Sequence, residues 1–135
     1  MKYLLDTNIC IYLIKEKPPE VLACFTALKP NQVFLSAISV FELHFGVEKS
    51  QASKRNLAAL EQFLRPMTVL DFTTKEAKYA AKIRADLQRK GAPIGAYDIQ
   101  IAATALAHGL TVVTNNTSEF ERVVGLKLEN WVSAS

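Results

Sequence analysis

Long apolar runs, paired cysteines and a secretion signal are all missing from this sequence of 135 residues. No apolar stretch approaches the roughly 20 residues that a membrane-spanning helix requires. Asp6 interrupts the N-terminal apolar run, and no small-residue cleavage site follows it, so no signal peptide is predicted. Cys10 and Cys24 lack C-x-x-C spacing, and we expect both to be reduced core residues in a cytoplasmic protein with no membrane contact.

Several catalytic motifs are missing as well. The sequence contains no G-x-S-x-G, no Walker loop and no G-x-G-x-x-G, which argues against a serine hydrolase, a P-loop NTPase and a dinucleotide enzyme. It also has no repeat, low-complexity tract or linker, so we expect a single domain over 1–135. Half of the residues are apolar, which is enough for a sizeable core, and the net charge of +3 is compatible with nucleic acid without requiring it.

Short apolar runs alternate with helical patterns along the whole chain. The runs predict strands over 2–5, 33–35, 67–70, 111–114 and 127–131. The helical patterns predict helices over 7–15, 19–28, 36–50, 54–64, 74–90, 96–109 and 118–123. This alternation is typical of a three-layer α/β/α fold with a central, mainly parallel sheet of four to five strands. The carboxyl ends of parallel strands lie along one edge, where sites form in such folds.

Four acidic residues occupy positions where a charge is costly or unusual. Asp6 ends the first predicted strand, Glu42 lies among apolar neighbours in the helix after the second, and Asp98 opens the most apolar helix. Glu119 follows the strand predicted over 111–114. We expect all four at the same sheet edge, provided that the segment 91–95 returns the chain to that edge before Asp98.

Each acid also has an ordinary structural explanation. Asp6 or Thr7 would suit the N-cap of the first helix, and Ser39 with Glu42 matches a capping box. The other two acids would be favourable charges at helix N-termini, worth about 0.3–1 kcal/mol each.

Convergence of the four carboxylates would require a cation. Two carboxylates about 4 Å apart repel by about 4 kcal/mol at an effective dielectric of 20. Oxygen ligands favour Mg²⁺ or Mn²⁺ over zinc, and His44 and His108 are too isolated to be expected as ligands. An ion held in this way suits hydrolysis of a phosphodiester, because it activates water and stabilises charge on the phosphate.

Four ordered blocks of the chain carry a family resemblance: LLDTNICIYLIK, SVFELHFGVEKS, GAPIGAYDIQIAATALAHG and TVVTNNTSEFERVVGLKLENW. They resemble PIN-domain ribonucleases, and more narrowly VapC-type toxins of bacterial type II toxin–antitoxin pairs. The resemblance implies a Mg²⁺-dependent endoribonuclease that cuts structured RNA, commonly the anticodon loop of tRNA, and so inhibits translation. Asp6, Glu42 and Asp98 match the three main acidic positions of the family, and Glu119 matches the fourth, which is often aspartate.

The same resemblance implies supporting residues and partners. Thr7, Asn8, Thr114 and Asn116 match polar positions that orient the ligands or water. A homodimer is implied, and so is a VapB-type antitoxin that lays a peptide across the groove and blocks the metal site. A higher-order toxin–antitoxin complex follows from these two associations.

Contacts with RNA are assigned from residue chemistry. Tyr97, next to Asp98, suits stacking on a loop base, and Lys49 and Arg84 suit contacts with phosphate, although exposed basic residues are ordinary on helices. Two other functions stay open, a structure-specific DNA nuclease of the same fold and a catalytically silent adaptor. A phosphatase that uses Asp6 as its nucleophile lacks the second aspartate of D-x-D, because position 8 is Asn.

Overall fold

A five-stranded parallel sheet forms the centre of the molecule. The computed structural model describes residues 1–132, so the last three residues of the predicted domain, 133–135, lie outside the described part. The strands are β1 (Tyr3–Leu5), β2 (Val33–Ser36), β3 (Thr68–Leu70), β4 (Thr111–Val113) and β5 (Leu128–Glu129). Their order is β3-β2-β1-β4-β5, and every pairing is parallel. The predicted sheet is therefore confirmed.

Seven helices and one 3₁₀ turn (Pro30–Gln32) connect the strands within the described residues. The helices are α1 (Thr7–Lys15), α2 (Pro19–Thr26), α3 (Ala37–Glu48), α4 (Ser53–Leu64), α5 (Thr74–Arg89), α6 (Ala96–His108) and α7 (Thr117–Phe120). Each corresponds to a predicted helix, but α2 and α7 end two and three residues earlier than expected. None of these helices combines the length and apolar character needed to cross a membrane.

The first and last strands are shorter than predicted. β1 begins at Tyr3 rather than at residue 2, and β5 covers two residues of the predicted segment 127–131. β5 pairs with β4 alone, and Trp131 packs into the core instead of extending the ladder. An apolar residue near a strand thus does not have to belong to it, because burial and ladder hydrogen bonds are separate requirements.

Alternation along the strands creates the three layers. Leu4 and Val112 are paired neighbours and pack into a core with residues of α5 and α6. Leu5 and Val113, the next pair, face the opposite side and pack with residues of α1, α2 and α4. Successive side chains of a strand point to opposite faces, so a sheet whose strands are apolar throughout needs helices on both sides.

The chain reverses its direction across the sheet between β1 and β4. It runs outward from β1 through β2 to β3, then returns over α5 and α6 to β4 on the other side of β1. The non-helical segment between Arg89 and Ala96 makes the return, and Gly91 has a φ of 65° there. In open parallel sheets, ligands bind in the crevice at the strand carboxyl ends where the order reverses.

Candidate active site

Asp6 lies at this reversal, directly after β1. Leu5 pairs with Val113, and the Asp6 N–H donates to the Val113 carbonyl at 2.9 Å, so the next residues on both strands are neighbours. The Thr114 hydroxyl donates to Asp6 Oδ2 at 2.8 Å, and the Thr7 backbone N–H donates to Oδ1 at 2.7 Å. Asp6 is also the N-cap of α1. The same side chain therefore caps the helix and lies at the predicted sheet edge.

Glu42 reaches the same place from α3, and the alternative explanation of Ser39 and Glu42 as a capping box does not hold. The N-cap of α3 is Ser36, whose hydroxyl accepts from the Ile38 N–H at 3.0 Å. Ser39 is therefore inside the helix, too late to cap it. Glu42 Oε1 instead accepts a hydrogen bond from the Thr7 hydroxyl at 2.8 Å, which ties α3 to the start of α1.

The segment after β4 brings in Glu119. The Asn116 side-chain amide donates to Glu119 Oε2 at 3.0 Å, and the Asn116 backbone N–H donates to the Thr114 hydroxyl at 2.9 Å. A hydrogen-bonded chain thus connects Glu119 through Asn116 and Thr114 to Asp6. Asn8, the remaining residue predicted to support the site, is exposed on the first turn of α1 and is not part of this chain.

Asp98 joins the group from the first turn of α6. Burial raises the pKa of Asp98 to about 7, together with a hydrogen bond to Glu119 and the negative charges of Asp6, Glu119 and Glu42. Burial likewise raises the pKa of Asp6, although the hydrogen bonds from Thr114 and Thr7 act in the opposite direction. Carboxylates from four separate segments of the chain therefore lie within electrostatic range of one another.

The donor set fits a hard cation by its chemistry. All four acids offer carboxylate oxygens, and accumulated negative charge is what a divalent ion relieves. Among residues 1–132, no three His, Cys, Asp or Glu side chains are already arranged as a metal-ligand set. The arrangement is instead one of carboxylates that are held individually or in pairs by hydrogen bonds.

The residues predicted to contact RNA lie on, or at the end of, three different helices. Tyr97 is 45% exposed, and its ring packs edge-to-face on Phe41 with centroids 5.5 Å apart. Lys49 Nζ lies 5.2 Å from the centre of the Phe45 ring at the end of α3. Arg84 is exposed on α5, and it lines an open cavity between α5 and α6. Tyr97 is thus the predicted contact placed directly beside an acid of the site.

A second buried carboxylate, Glu76, lies outside the site and was not singled out from the sequence. Glu76 Oε1 accepts from both the backbone N–H (2.8 Å) and the hydroxyl of Thr73, and Oε2 lies 2.8 Å from His108 Nε2. The signal was present, because Thr73 and Glu76 have the spacing of a capping box before α5. His108 ends α6 as expected, and its ring Nε2 forms a hydrogen bond with Glu76.

A match to a known family agrees with this geometry. The model of the PIN domain matches residues 3–126, so the chain belongs to the PIN-domain family. The predicted resemblance is thereby confirmed at the level of the fold and of the family.

Curated relatives narrow the match to one group within that family. Ribonuclease VapC2 of Haemophilus influenzae (strain Rd) is 47% identical over 132 residues, which cover 98% of this chain and 99% of the relative. The tRNA(fMet)-specific endonuclease VapC of Salmonella typhimurium is 47% identical over 131 residues, 97% and 98% of the two chains. The chain is accordingly of the VapC type.

Solved structures show the same relationship. A chain of the DNA-bound VapBC crystal structure from Salmonella typhimurium superimposes with a TM-score of 0.92 at 45% identity, covering 98% of this chain and 99% of that one. VapBC2 of Rickettsia felis, solved with a fragment of promoter DNA, gives a TM-score of 0.91 at 38% identity and covers 98% and 100%. The three-layer fold is thus shared along essentially the full length.

Proposed function

We propose that this protein is a Mg²⁺-dependent endoribonuclease and the toxic component of a cytoplasmic toxin–antitoxin pair. Asp6, Glu42, Asp98 and Glu119 hold the ion, and Mn²⁺ is able to replace it. The observation that carries the proposal is the convergence of these acids from four segments, with the pKa raised at Asp6 and at Asp98. A crevice in which carboxylates disfavour one another's charge is suited to binding a divalent cation.

The hydrogen bonds that each acid accepts suggest its role at the ion. Asp6 accepts a hydrogen bond at each of its two oxygens, which fixes its carboxylate, and we assign it to the ion together with Asp98. The bond from Thr7 occupies Glu42 Oε1, which leaves Glu42 to hold the ion or to position the attacking water. When bound, the ion stabilises charge on the phosphate and favours deprotonation of water. Glu119 accepts from Asn116 and reaches the ion directly or through water.

The proposed substrate is structured RNA, with tRNA as the leading case and its anticodon loop as the cut region. Support comes from relatives named as tRNA(fMet)-specific endonucleases at 47% identity. The exposed ring of Tyr97, braced by Phe41 beside Asp98, suits stacking on a base that is turned out of a loop. Lys49 is assigned to a phosphate contact, whereas Arg84 lines the cavity between α5 and α6, the surface proposed for self-association. Cleavage of tRNA would inhibit translation.

A VapB-type antitoxin is the proposed partner, and an apolar groove between α1, α3 and α4 supports it. The groove has a volume of about 260 Å³, and its apolar lining includes Ile11, Ile14, Leu43, Val47 and Leu60. Glu42 lines it as well, so a peptide lying in the groove would reach the carboxylate site. Solved VapBC structures match this chain over its length, which favours a partner of the same kind.

Self-association is proposed on a different surface. Small side chains of α5 and α6, including Ala77, Ala81 and Ala96, line an open cavity of about 610 Å³. Small residues permit the close approach of another helix, which suits a homodimer. Homodimers bound by antitoxin would then assemble into a higher-order complex, and the mass of the purified complex in solution tests this assignment.

The decisive experiment compares purified wild type with Asp6→Ala on a transcribed tRNA and on single-stranded and duplex DNA. We expect discrete RNA cuts by the wild type with Mg²⁺ or Mn²⁺, and none with EDTA or with Asp6→Ala. Glu76→Gln is the matched control, because it also neutralises a buried carboxylate but lies outside the site. It should cut RNA as the wild type does.

Other outcomes would point to the two alternatives. Cleavage of DNA in preference to RNA would replace the proposal by a DNA nuclease of the same fold. No cleavage of either substrate, together with antitoxin binding, would indicate an adaptor. Equal cutting by wild type and Asp6→Ala would contradict the assignment of the site.

A further inference from the structure

Ser39 lies next to the candidate site, its hydroxyl is fully buried, and it does not cap a helix. Its Oγ lies 2.9 Å from the Thr7 hydroxyl oxygen, and that oxygen lies 2.8 Å from Glu42 Oε1. Ser36 caps α3, so the start of the helix does not depend on Ser39. A polar side chain with no exposed surface needs a hydrogen-bond partner, and Ser39 has one in Thr7.

The direction of these two bonds follows from counting protons. Thr7 has a single hydroxyl proton and can donate to only one of its two neighbours. An ionised carboxylate accepts and cannot donate, so the proton of Thr7 is used towards Glu42. Ser39 must then be the donor to the Thr7 oxygen. The order of donation is Ser39 to Thr7 to Glu42.

A similar pair of hydrogen bonds lies on the opposite side of the site, and there the direction of donation is certain. The Asn116 backbone N–H can only donate, and it lies 2.9 Å from the Thr114 hydroxyl oxygen. Thr114 must therefore use its own proton towards Asp6 Oδ2, at 2.8 Å. In both places a threonine hydroxyl donates to an acid while a second donor behind it fixes its rotation.

We propose that Ser39 is a positioning residue that acts on Glu42 through Thr7. By donating to Thr7, it holds the threonine hydroxyl in the rotamer that presents its proton to Glu42, and so fixes the carboxylate for the ion. Without Ser39 the hydroxyl of Thr7 is free to rotate, and Glu42 loses a preorganised partner. This inference rests on the proposed metal-dependent function, and it adds a residue that touches neither ion nor substrate.

A double-mutant cycle tests the coupling. Ser39→Ala should lower kcat on the RNA substrate and the affinity for Mn²⁺, measured by titration calorimetry, each by about tenfold, with KM for RNA nearly unchanged. Thr7→Val removes the hydroxyl at constant shape and should cost at least as much. The double variant should be no worse than Thr7→Val, because Ser39 has nothing to act on once the Thr7 hydroxyl is gone.

Controls separate positioning from general loss of stability. Thr104→Val removes another fully buried hydroxyl, one that donates to the Gln100 carbonyl within α6, and it should leave Mn²⁺ affinity unchanged. Ser39→Cys leaves no cavity, because sulfur is somewhat larger than oxygen, but its S–H donates only weakly. A similar loss in this variant therefore excludes a cavity as the cause. Thermal unfolding of each variant verifies that it is folded.

Two results would overturn the inference while leaving the proposed function intact. One is unchanged kcat and Mn²⁺ affinity in Ser39→Ala. The other is full additivity of Ser39→Ala and Thr7→Val, which would show that Ser39 acts independently of Thr7. Wild type that neither binds Mn²⁺ nor cleaves RNA would instead overturn the proposed function, and the role of Ser39 with it.

Discussion

Asp6 and Glu76 are two carboxylates with almost no exposed surface and opposite electrostatic surroundings. Asp6 is 5% exposed and Glu76 is 2% exposed. The pKa of Asp6 is raised, chiefly by burial, and the charges of Glu42 and Glu119 add to the effect. The pKa of Glu76 is lowered to about 2, chiefly by the hydrogen bond from the Thr73 hydroxyl, with smaller help from His108.

The pKa values of Asp6 and Glu76 are shifted in opposite directions because the two carboxylates have different surroundings. Asp6 sits at the end of the central strand, deep among protein atoms, and its charged neighbours are other acids. Burial raises the pKa of Glu76 as well, but the hydrogen bonds from Thr73 and His108 outweigh it. A solvent-shielded carboxylate is a structural element when every neighbour is a donor, and a candidate ligand when its neighbours share its charge.

The largest expected effect separates the two acids by activity. Asp6→Asn should lower RNA cleavage by about a hundredfold or more, because it removes a proposed ligand of the ion, and ions contribute several kcal/mol to such reactions. Glu76→Gln should retain most of the wild-type rate. Initial rates on a tRNA substrate at saturating Mg²⁺ measure both. Comparable losses in the two variants would show that cleavage depends on Glu76 as much as on Asp6.

Binding of a divalent ion should stabilise only the site that attracts it. At free Mg²⁺ of about 100 times its Kd, the free energy of unfolding should rise by about 2.7 kcal/mol. Glu76→Gln should keep this gain, while Asp6→Asn should lose most of it. Denaturant unfolding with Mg²⁺ and with EDTA measures the difference, and an equal gain in both variants would place the ion elsewhere.

The contributions of Asp98 and Glu76 to the free energy of unfolding should change with pH in opposite directions. The pKa of Asp98 in the folded state, about 7, lies above its ordinary value, so without metal its contribution to stability falls as pH rises from about 4 through 7. Asp98→Asn should remove that fall and stabilise the EDTA-treated protein at pH 8 by about 1 kcal/mol, since part of the repulsion is already screened by solvent.

Glu76 gives the contrasting half of the same pH series. Its folded pKa of about 2 lies below its ordinary value of 4.5, so its contribution is complete above pH 4.5 and is lost as pH falls towards 2. Glu76→Gln should therefore destabilise the protein at pH 7 by about 1 kcal/mol, because Gln can still occupy this position of the capping box but lacks the charge that strengthens its hydrogen bonds. Unfolding midpoints from pH 2 to 8 record both slopes, and slopes of the same sign would refute the contrast.

The smallest expected effect concerns the outer partner of Glu76. His108→Gln removes a partly exposed ring that is hydrogen-bonded to Glu76 at the C-terminal end of α6. It should cost about 0.5 kcal/mol, with no change in cleavage. Its cost should shrink in the Glu76→Gln background, because the two residues share one contact. Denaturant unfolding of the single and double variants tests this, and a loss of activity would connect this region to the site after all.

Much of the fold follows from local patterns in the sequence. Apolar runs of strand length alternate with helical periodicity, and this alternation determines a parallel sheet between two helical layers. The bounds of α1 agree with the prediction at both ends. Bounds failed where tertiary contacts compete with local pattern, as at Trp131, which joins the core rather than β5.

What the sequence by itself determined about the site is its list of candidate acids. Asp6 and Glu119 follow strands, Asp98 opens a helix, and Glu42 is an acid among apolar neighbours in the helix after β2. Only the tertiary structure decided which residues hold those acids in place. The Thr7 hydroxyl is hydrogen-bonded to Glu42, the Thr114 hydroxyl to Asp6, and Ser39 is hydrogen-bonded to Thr7 instead of capping α3. The physical reason is the distance along the chain between interacting residues. Helix periodicity and capping depend on residues a few positions apart, whereas the hydrogen bonds of the site join residues that are 32, 35 and 108 positions apart.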